Sequence, residues 1–106
     1  MRDDVPRARS AFARVIDAKR FQRGNLHAHS NASDGDATPD EVIGWYKAHG
    51  YAFVALTDHN ILADPSRYAS LQSPEFTVLA GEEISMWVKG KQVHVNALCT
   101  HALIEG

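Results

Sequence analysis

The chain has 106 residues, of which 44% are hydrophobic and 23% charged, values that suit one small soluble domain or part of a larger one. It contains no run of 18 apolar residues and no continuous apolar segment near its start, so we expect neither a membrane span nor a secretory signal. A cytoplasmic location is therefore expected, although the mature form of an exported protein would look the same. Cys99 is the single cysteine, which excludes a disulfide within the chain.

The net charge of -2 is divided unevenly along the chain. Residues 1–23 carry seven basic and three acidic side chains, about +4, whereas the remainder carries four basic and ten acidic ones, -6. The acidic remainder argues against a general nucleic-acid-binding surface and suits a site that collects divalent cations. The basic segment could contact phosphates, but a solvated helix face is the commoner explanation of such a charge run.

The first predicted element is an amphipathic helix over residues 6–20, where apolar side chains recur at helical spacing between arginines. We treat residues 1–22 as an N-terminal amphipathic helix or linker and residues 23–106 as a partial domain. Residues 23–29 predict a short strand. The loop that follows is rich in Asn, Ser, Asp and Gly, which is typical of an irregular segment.

The next element is a helix whose ends are well marked in the sequence. Thr38 is a capping residue, Pro39 stands at the first helical position, and Glu41 completes a Thr-x-x-Glu capping box. Gly50 supplies the stop. His49 lies in the last turn, where its imidazole can bind free carbonyl groups, so we do not assign it to a site.

The second half of the chain predicts further strands. Residues 51–57 are almost wholly apolar, which is typical of a parallel strand covered on both faces. A short helix is expected at 66–72 and another apolar strand at 76–85. A hairpin then turns at Lys89-Gly90-Lys91, with His94 on its return strand. Strands that alternate with helices predict an α/β fold with a parallel sheet.

Histidines and carboxylates recur where the predicted strands end. They are His27, His29, Asp34, Asp58, His59, Glu82 and Glu83. The carboxyl ends of parallel strands meet at one edge of a sheet, so we expect these side chains to converge. A His-x-His pair on a strand points both imidazoles to one face, where both can reach one cation. Each pattern alone is common in proteins without metals, but their joint placement indicates a site for Zn, Mn or Fe.

Three stretches resemble the first three motifs of PHP (polymerase and histidinol phosphatase) domains. They are "HAHSNASDG", "TDHN" and "GEEIS" followed by a histidine, and the resemblance covers roughly residues 23–98. PHP enzymes are trinuclear metal phosphoesterases with a distorted (β/α)7 TIM-like barrel. The resemblance therefore implies the N-terminal part of such a barrel, and hydrolysis of a phosphate ester by metal-activated water.

The same resemblance implies four histidines and two carboxylates as ligands of up to three divalent ions. They are His27, His29, Asp34, His59, Glu83 and His94. His27 and His29 would bind the first ion. Glu83 would bridge the first ion to the second, which His94 would also bind.

The third ion would be bound by Asp34 and His59. Asp58 is expected to orient a ligand rather than to bind metal itself. Glu83 is preferred to Glu82 because it immediately precedes Ile-Ser in the matching motif, although such a match leaves Glu82 open as the alternative.

The remaining polar residues are given structural roles. A metal-activated water needs no side-chain nucleophile, so Ser30 and Cys99 are interpreted as structural, and Cys99 as a small buried residue on a strand. His101 follows the last matched motif and is expected at the surface.

The resemblance leaves the domain incomplete. A barrel of this kind needs about 200 residues or more, and no later PHP motif can be placed after residue 98. We expect a fragment of the catalytic domain, whose exposed sheet edge and apolar surface favour a homo-oligomer. Its substrate would be a nucleotide or another small phosphoester, with nucleic acid bound only as a substrate.

Two alternatives stay open at this point. One is a truncated or degenerate PHP module that binds metal or a partner without catalysis. The other is an amidohydrolase-type metallohydrolase, a family that also has His-x-His after the first barrel strand. That family lacks the Ser-Asp-Gly and Thr-Asp-His patterns, which makes it the weaker alternative.

Overall fold

A computed structural model describes residues 21–106, which form five strands, one α-helix and one 3-10 helix. In chain order these are β1 (Gly24–Ala28), α1 (Pro39–Ala48), β2 (Phe53–Leu56), the 3-10 helix (Pro65–Leu71), β3 (Thr77–Leu79), β4 (Gly81–Val88) and β5 (Lys91–Leu98). The helix predicted at 6–20, and with it most of the N-terminal unit 1–22, lies outside the described residues. Among the described residues, no helix has the length and apolar character needed to cross a membrane.

Strands β1, β2 and β3 form a parallel sheet in that order, which confirms the predicted α/β arrangement. The central strand β2 is buried from Val54 to Leu56, as its apolar sequence predicts. Ile43 of α1 and Val78 of β3 pack with β2 in one apolar core. The complete barrel that the resemblance implies extends beyond these three strands and stays a prediction.

Helix α1 begins at the predicted capping box. The hydroxyl of Thr38 accepts a hydrogen bond from the backbone N–H of Glu41 at 3.2 Å, and the Glu41 carboxylate accepts one from the Thr38 N–H at 2.9 Å. At the other end, Nδ1 of His49 lies 2.7 Å from the carbonyl oxygen of Trp45, as expected of a capping imidazole. Both ends of the helix therefore follow from local sequence signals.

The prediction of a single strand at 76–85 is wrong. The structure divides it at Ala80 into β3, which pairs with β2, and β4, which pairs antiparallel with β5. A β-carbon at Gly81 would lie 2.5 Å from the carbonyl oxygen of Leu56, so only glycine allows β4 to begin this close to the end of β2. This contact directs β4 past the carboxyl end of the parallel sheet.

The predicted hairpin is confirmed, with a two-residue turn at Lys89 and Gly90. Both residues have positive φ angles, 51° and 78°, as the tightest hairpin turns require. The prediction for Cys99 is wrong, because this residue is exposed and follows the end of β5. Its φ of 60° turns the chain out of the strand, while its N–H binds the carbonyl oxygen of Ala80 at 2.8 Å.

Candidate metal centre

The predicted ligands converge at the carboxyl end of the parallel sheet. His27 lies near the end of β1 and His29 directly follows that strand, and their ring centroids are 5.1 Å apart. His59 follows the end of β2 and forms an isolated parallel bridge with Glu83 of β4. The parallel sheet and the hairpin therefore meet at this point, which is why residues distant in sequence become neighbours.

The carboxylate of Glu83 lies at the middle of this centre. Its side chain is only 8% exposed, yet it faces four imidazoles. Its Oε1 atom lies 2.7 Å from Nε2 of His29, 3.7 Å from Nε2 of His27 and 3.6 Å from Nδ1 of His59. The Oε2 atom lies 3.5 Å from Nδ1 of His94. One buried carboxylate is thus shared among several nitrogen donors.

A second carboxylate, Asp34, lies at the exposed edge of the centre. Its Oδ1 atom lies 2.6 Å from Nδ1 of His29, and its Oδ2 atom lies 3.2 Å from Nε2 of His59. Burial lowers the pKa of His29, but its hydrogen bonds with Asp34 and Glu83 outweigh this effect, so its pKa is raised overall. The hydrogen bond from His29 is the main cause of a lowered pKa of Asp34.

These side chains form three overlapping groups, in each of which the donor atoms lie within 4.8 Å of one another. The groups are His27–His29–Glu83, His29–Asp34–His59 and His59–Glu83–His94. Imidazole nitrogens and carboxylate oxygens are the donors that Zn, Mn and Fe prefer, so the residues present fit divalent transition metals. His29, His59 and Glu83 each belong to two groups, and the assignment of ligands to particular ions stays a prediction.

The model of the PHP domain family matches residues 25–102 of the chain, which is well over half of it. The chain belongs to the PHP domain family. It is 34% identical over 76 residues to a 5'-3' exoribonuclease of Haemophilus influenzae, which covers 70% of this chain and 27% of that protein. It is 39% identical over 77 residues to a 3',5'-nucleoside bisphosphate phosphatase of Chromobacterium violaceum, which covers 70% of this chain and 26% of that protein.

The family match confirms the resemblance on which the predicted site depends and decides against the amidohydrolase alternative. PHP domains are metal-dependent. The phosphatase among the relatives supports the view that this family consists of phosphoesterases. The chain spans about a quarter of the length of the curated relatives it matches.

The two glutamates at the start of β4 of this PHP domain point to opposite faces, as neighbours on a strand must. Glu83 lies among the histidines. Glu82 is fully buried on the other face, where its Oε1 atom accepts a hydrogen bond from the N–H of Ile104 at 3.0 Å. Its Oε2 atom has no hydrogen-bond partner among the described residues. The geometry thus places the preferred glutamate in the centre and the alternative outside it.

Asp58 lies beside the metal centre but belongs to none of the three donor groups of the described residues. Only 3% exposed, it accepts hydrogen bonds from the N–H and the hydroxyl of Ser30, both at 2.7 Å, and from the hydroxyl of Ser33 at 2.6 Å. These bonds tie the loop that carries Asp34 to the end of β2. Ser30 is fully buried here, in agreement with its structural interpretation.

The sequence interpretation missed several polar partners of the imidazoles. Ser85 is the nearest, since its hydroxyl oxygen lies 2.6 Å from Nδ1 of His59 and 2.9 Å from Nδ1 of His94. The side-chain oxygen Oδ1 of Asn60 accepts a hydrogen bond from the backbone N–H of Ser85 at 2.9 Å, and Asn60 itself has a φ of 56°. Ser85 follows Glu83 by two residues, and residues two apart on a strand lie on the same face. This spacing could have identified Ser85 from the sequence.

Two further asparagines contact His27. The side-chain amide of Asn96 on β5 contacts its Nδ1 atom, and the side-chain oxygen of Asn25 accepts its backbone N–H at 3.0 Å. Asn96 could have been found by the same period, since it follows His94 by two positions on one strand. Nothing in the sequence near Asn25 predicts its contact with His27.

Proposed function

We propose that this chain forms the N-terminal part of a metal-dependent phosphoesterase domain that hydrolyses a phosphate ester of a nucleotide. The observation that carries the proposal is the buried carboxylate of Glu83, which lies within 3.7 Å of four imidazole nitrogens. A carboxylate needs strong compensation to be buried as an anion, and divalent cations shared with the imidazoles would supply it.

In this proposal the side chains of the centre would bind cations at separate positions. His27 and His29 would hold one ion, Glu83 would be shared between that ion and a second, and His94 would also hold the second. Cations at these positions would lower the pKa of water towards neutrality and neutralise charge on a phosphate ester. The described side chains of the centre present donors for the cations themselves, and none of them is required as a nucleophile.

The remaining side chains of the centre fix the geometry. Asp34 and His59 face each other and would hold the third ion. Asp58 keeps the loop of Asp34 in position through three hydrogen bonds, and this would fix the orientation of the Asp34 carboxylate. A supporting layer of this kind maintains ligand orientation and metal affinity.

The substrate class is proposed from the names of the relatives and the charge of the chain. One relative is a nucleoside bisphosphate phosphatase and the other an exoribonuclease, and both names specify phosphate esters of nucleosides. Residues 24–106 carry -6, which repels a phosphate ester unless cations intervene. We therefore expect substrate binding to require the metal.

A metal-binding module without catalysis is the second candidate. The favouring observation is that the three donor groups of the described residues suit metal binding whether or not catalysis follows. A homo-oligomer formed through the exposed half-barrel surface and a cytoplasmic location both stay predictions.

The test combines metal analysis with turnover. The purified chain is loaded separately with Mn, Zn and Fe, and its metal content is measured beside hydrolysis of a nucleoside 3',5'-bisphosphate and of a 5'-phosphorylated RNA. His94→Ala should lower metal affinity by at least about tenfold. His101→Ala, which removes an exposed histidine outside the donor groups, should leave it unchanged.

Each outcome discriminates between the candidates. Bound metal with metal-dependent turnover supports the phosphoesterase. Bound metal without turnover supports the non-catalytic module. A chain that binds no metal, or that responds equally to the two histidine variants, contradicts both.

A further inference from the structure

Trp87 on β4 is unusually exposed for a tryptophan. Its exposed fraction is 70%, the highest among the large hydrophobic residues of the described range 21–106. The other tryptophan, Trp45 on α1, stacks on the ring of His49 at a centroid distance of 3.9 Å and meets the ring of Tyr46 edge-on. Tryptophan side chains are highly buried on average, so the exposure of this indole calls for an explanation.

The position of Trp87 relates it to the metal centre. Side chains alternate between the faces of a strand, so Glu83, Ser85 and Trp87 share one face of β4. The hairpin register is regular there, with Ser85 opposite His94 and Trp87 opposite Gln92. Trp87 follows Glu83 by four residues, which is about 13 Å along the strand. The same face therefore carries metal-centre residues at one end and an open indole at the other.

The opposite face of β4 is covered by the end of the chain. A β-carbon at Gly106 would lie 3.0 Å from side-chain atoms of Ile84 and Met86, and the N–H of Ile104 binds Glu82. The described C-terminal residues thus pack on the face turned away from the metal centre. Within residues 21–106, the face that carries Trp87 stays exposed at the indole.

We infer that Trp87 is a base-stacking residue, which receives the nucleobase of a nucleotide whose phosphate lies at the metal centre. This inference rests on the proposed function and assigns Trp87 to the nucleobase, the part of the substrate that lies away from the metal centre. An indole offers a large, rigid π-surface on which any base can stack, so it favours nucleotides over other phosphoesters without selecting among bases. Stacking of this kind strengthens binding by about tenfold to a hundredfold.

The binding test uses the fluorescence of Trp87 itself. In Trp45→Phe, Trp87 is the single tryptophan of the chain. The metal-loaded variant is titrated with a nucleoside 3',5'-bisphosphate, with a 5'-phosphorylated RNA and with inorganic phosphate. We expect saturable quenching by the two nucleotide probes and none by phosphate. The probe that binds more tightly identifies the source of the base, a free nucleotide or an RNA end, and either result supports the inference.

Affinity variants separate stacking from a structural role. Trp87→Ala should weaken nucleotide binding by about tenfold or more and leave inorganic phosphate unchanged, whereas Trp87→Phe should retain most of the nucleotide affinity. Val95→Ala is the matched control, because Val95 lies on the same hairpin and its partner Ile84 belongs to the opposite face. Equal nucleotide affinity in Trp87→Ala, or equal loss for nucleotide and phosphate, would overturn the inference.

The inference and the proposed function can fail separately. If the loaded chain hydrolyses a nucleotide and ribose 5-phosphate equally well, and Trp87→Ala changes neither, the role of Trp87 is refuted and the phosphoesterase stands. If nucleotides quench Trp87 but no phosphate ester is hydrolysed, the stacking role stands and the catalytic proposal falls.

Discussion

The parallel sheet with its helix and the β4–β5 hairpin are built in opposite ways. Strand β2 is buried from Val54 to Leu56 and packs against α1, whereas β5 is exposed from Lys91 to Asn96. The core cluster of the described residues belongs to the sheet, its helix and their loops, and the hairpin adds no residue to it. Burial of apolar surface is the main stabilising contribution, so the stability of the described part resides in the sheet.

The metal centre takes residues from both regions. His29 and His59 follow strands of the sheet, His94 comes from the exposed hairpin, and Glu83 lies on β4 where it bridges to His59. A change in the sheet should therefore affect folding and metal together. A change in the hairpin should affect function while the fold persists.

The largest expected effect comes from the core of the sheet. Ile43→Ala removes a fully buried side chain from α1 and should lower the free energy of unfolding by about 2–5 kcal/mol, measured by urea denaturation. Val95→Ala in the half-exposed hairpin should cost less than about 1 kcal/mol. Equal losses would contradict the division between the two regions.

A smaller effect is expected beneath the metal centre. Asp58→Ala leaves the N–H of Ser30 and two hydroxyls without their acceptor and should cost about 1–3 kcal/mol. Because the loop of Asp34 is then released, the metal content at saturation should also fall.

The matched control is Asp64→Ala. Asp64 accepts hydrogen bonds from the N–H and hydroxyl of Ser66, but it lies outside the donor groups. Its removal should reduce stability slightly and leave the metal content unchanged. A similar metal content in the Asp58 and Asp64 variants would show that Asp58 has no part in the centre.

The smallest expected effect lies at the start of α1. Thr38→Ala removes the hydroxyl of the capping box and should cost about 1 kcal/mol. The hydrogen bonds from the backbone and side chain of Thr38 lower the pKa of Glu41. A lowered pKa means that Glu41 contributes stability above its unfolded pKa, and that this contribution is lost as the pH falls through the folded value.

The pH dependence separates the two members of the box. Glu41→Gln should remove this acid-dependent part of the stability, which thermal melts below pH 5 would detect against the wild type. An unchanged acid profile in Glu41→Gln would mean that the box does not couple α1 to pH.

Much of the fold could be predicted because its signals are local. The capping box of α1, the apolar run of β2 and the turn at Lys89 and Gly90 each specify their own element. The break between β3 and β4 could not be predicted, since Ala80 stands in an apolar run and the break depends on contact with β2. Cys99 was misplaced for a similar reason, because its left-handed backbone depends on the residues it meets.

The centre was predictable to the extent that its motifs are contiguous. Most of the histidines and carboxylates fall in short patterns at or just after strand ends, which is why the predicted ligands converge. Ser85 and Asn96 depend instead on the register of β4 against β5, which pairs Ser85 with His94 and Glu83 with Asn96. Register between strands is set by tertiary structure, so these partners appear only in the folded chain.

The most direct test of the account compares two neighbouring glutamates that face opposite ways. Metal content and affinity are measured by elemental analysis and titration for Glu83→Gln and Glu82→Gln, each checked for folding by circular dichroism. We expect Glu83→Gln to lose most of its bound metal and Glu82→Gln to retain it, because Glu83 alone of the two faces the four imidazoles. Full metal binding by folded Glu83→Gln would contradict the account.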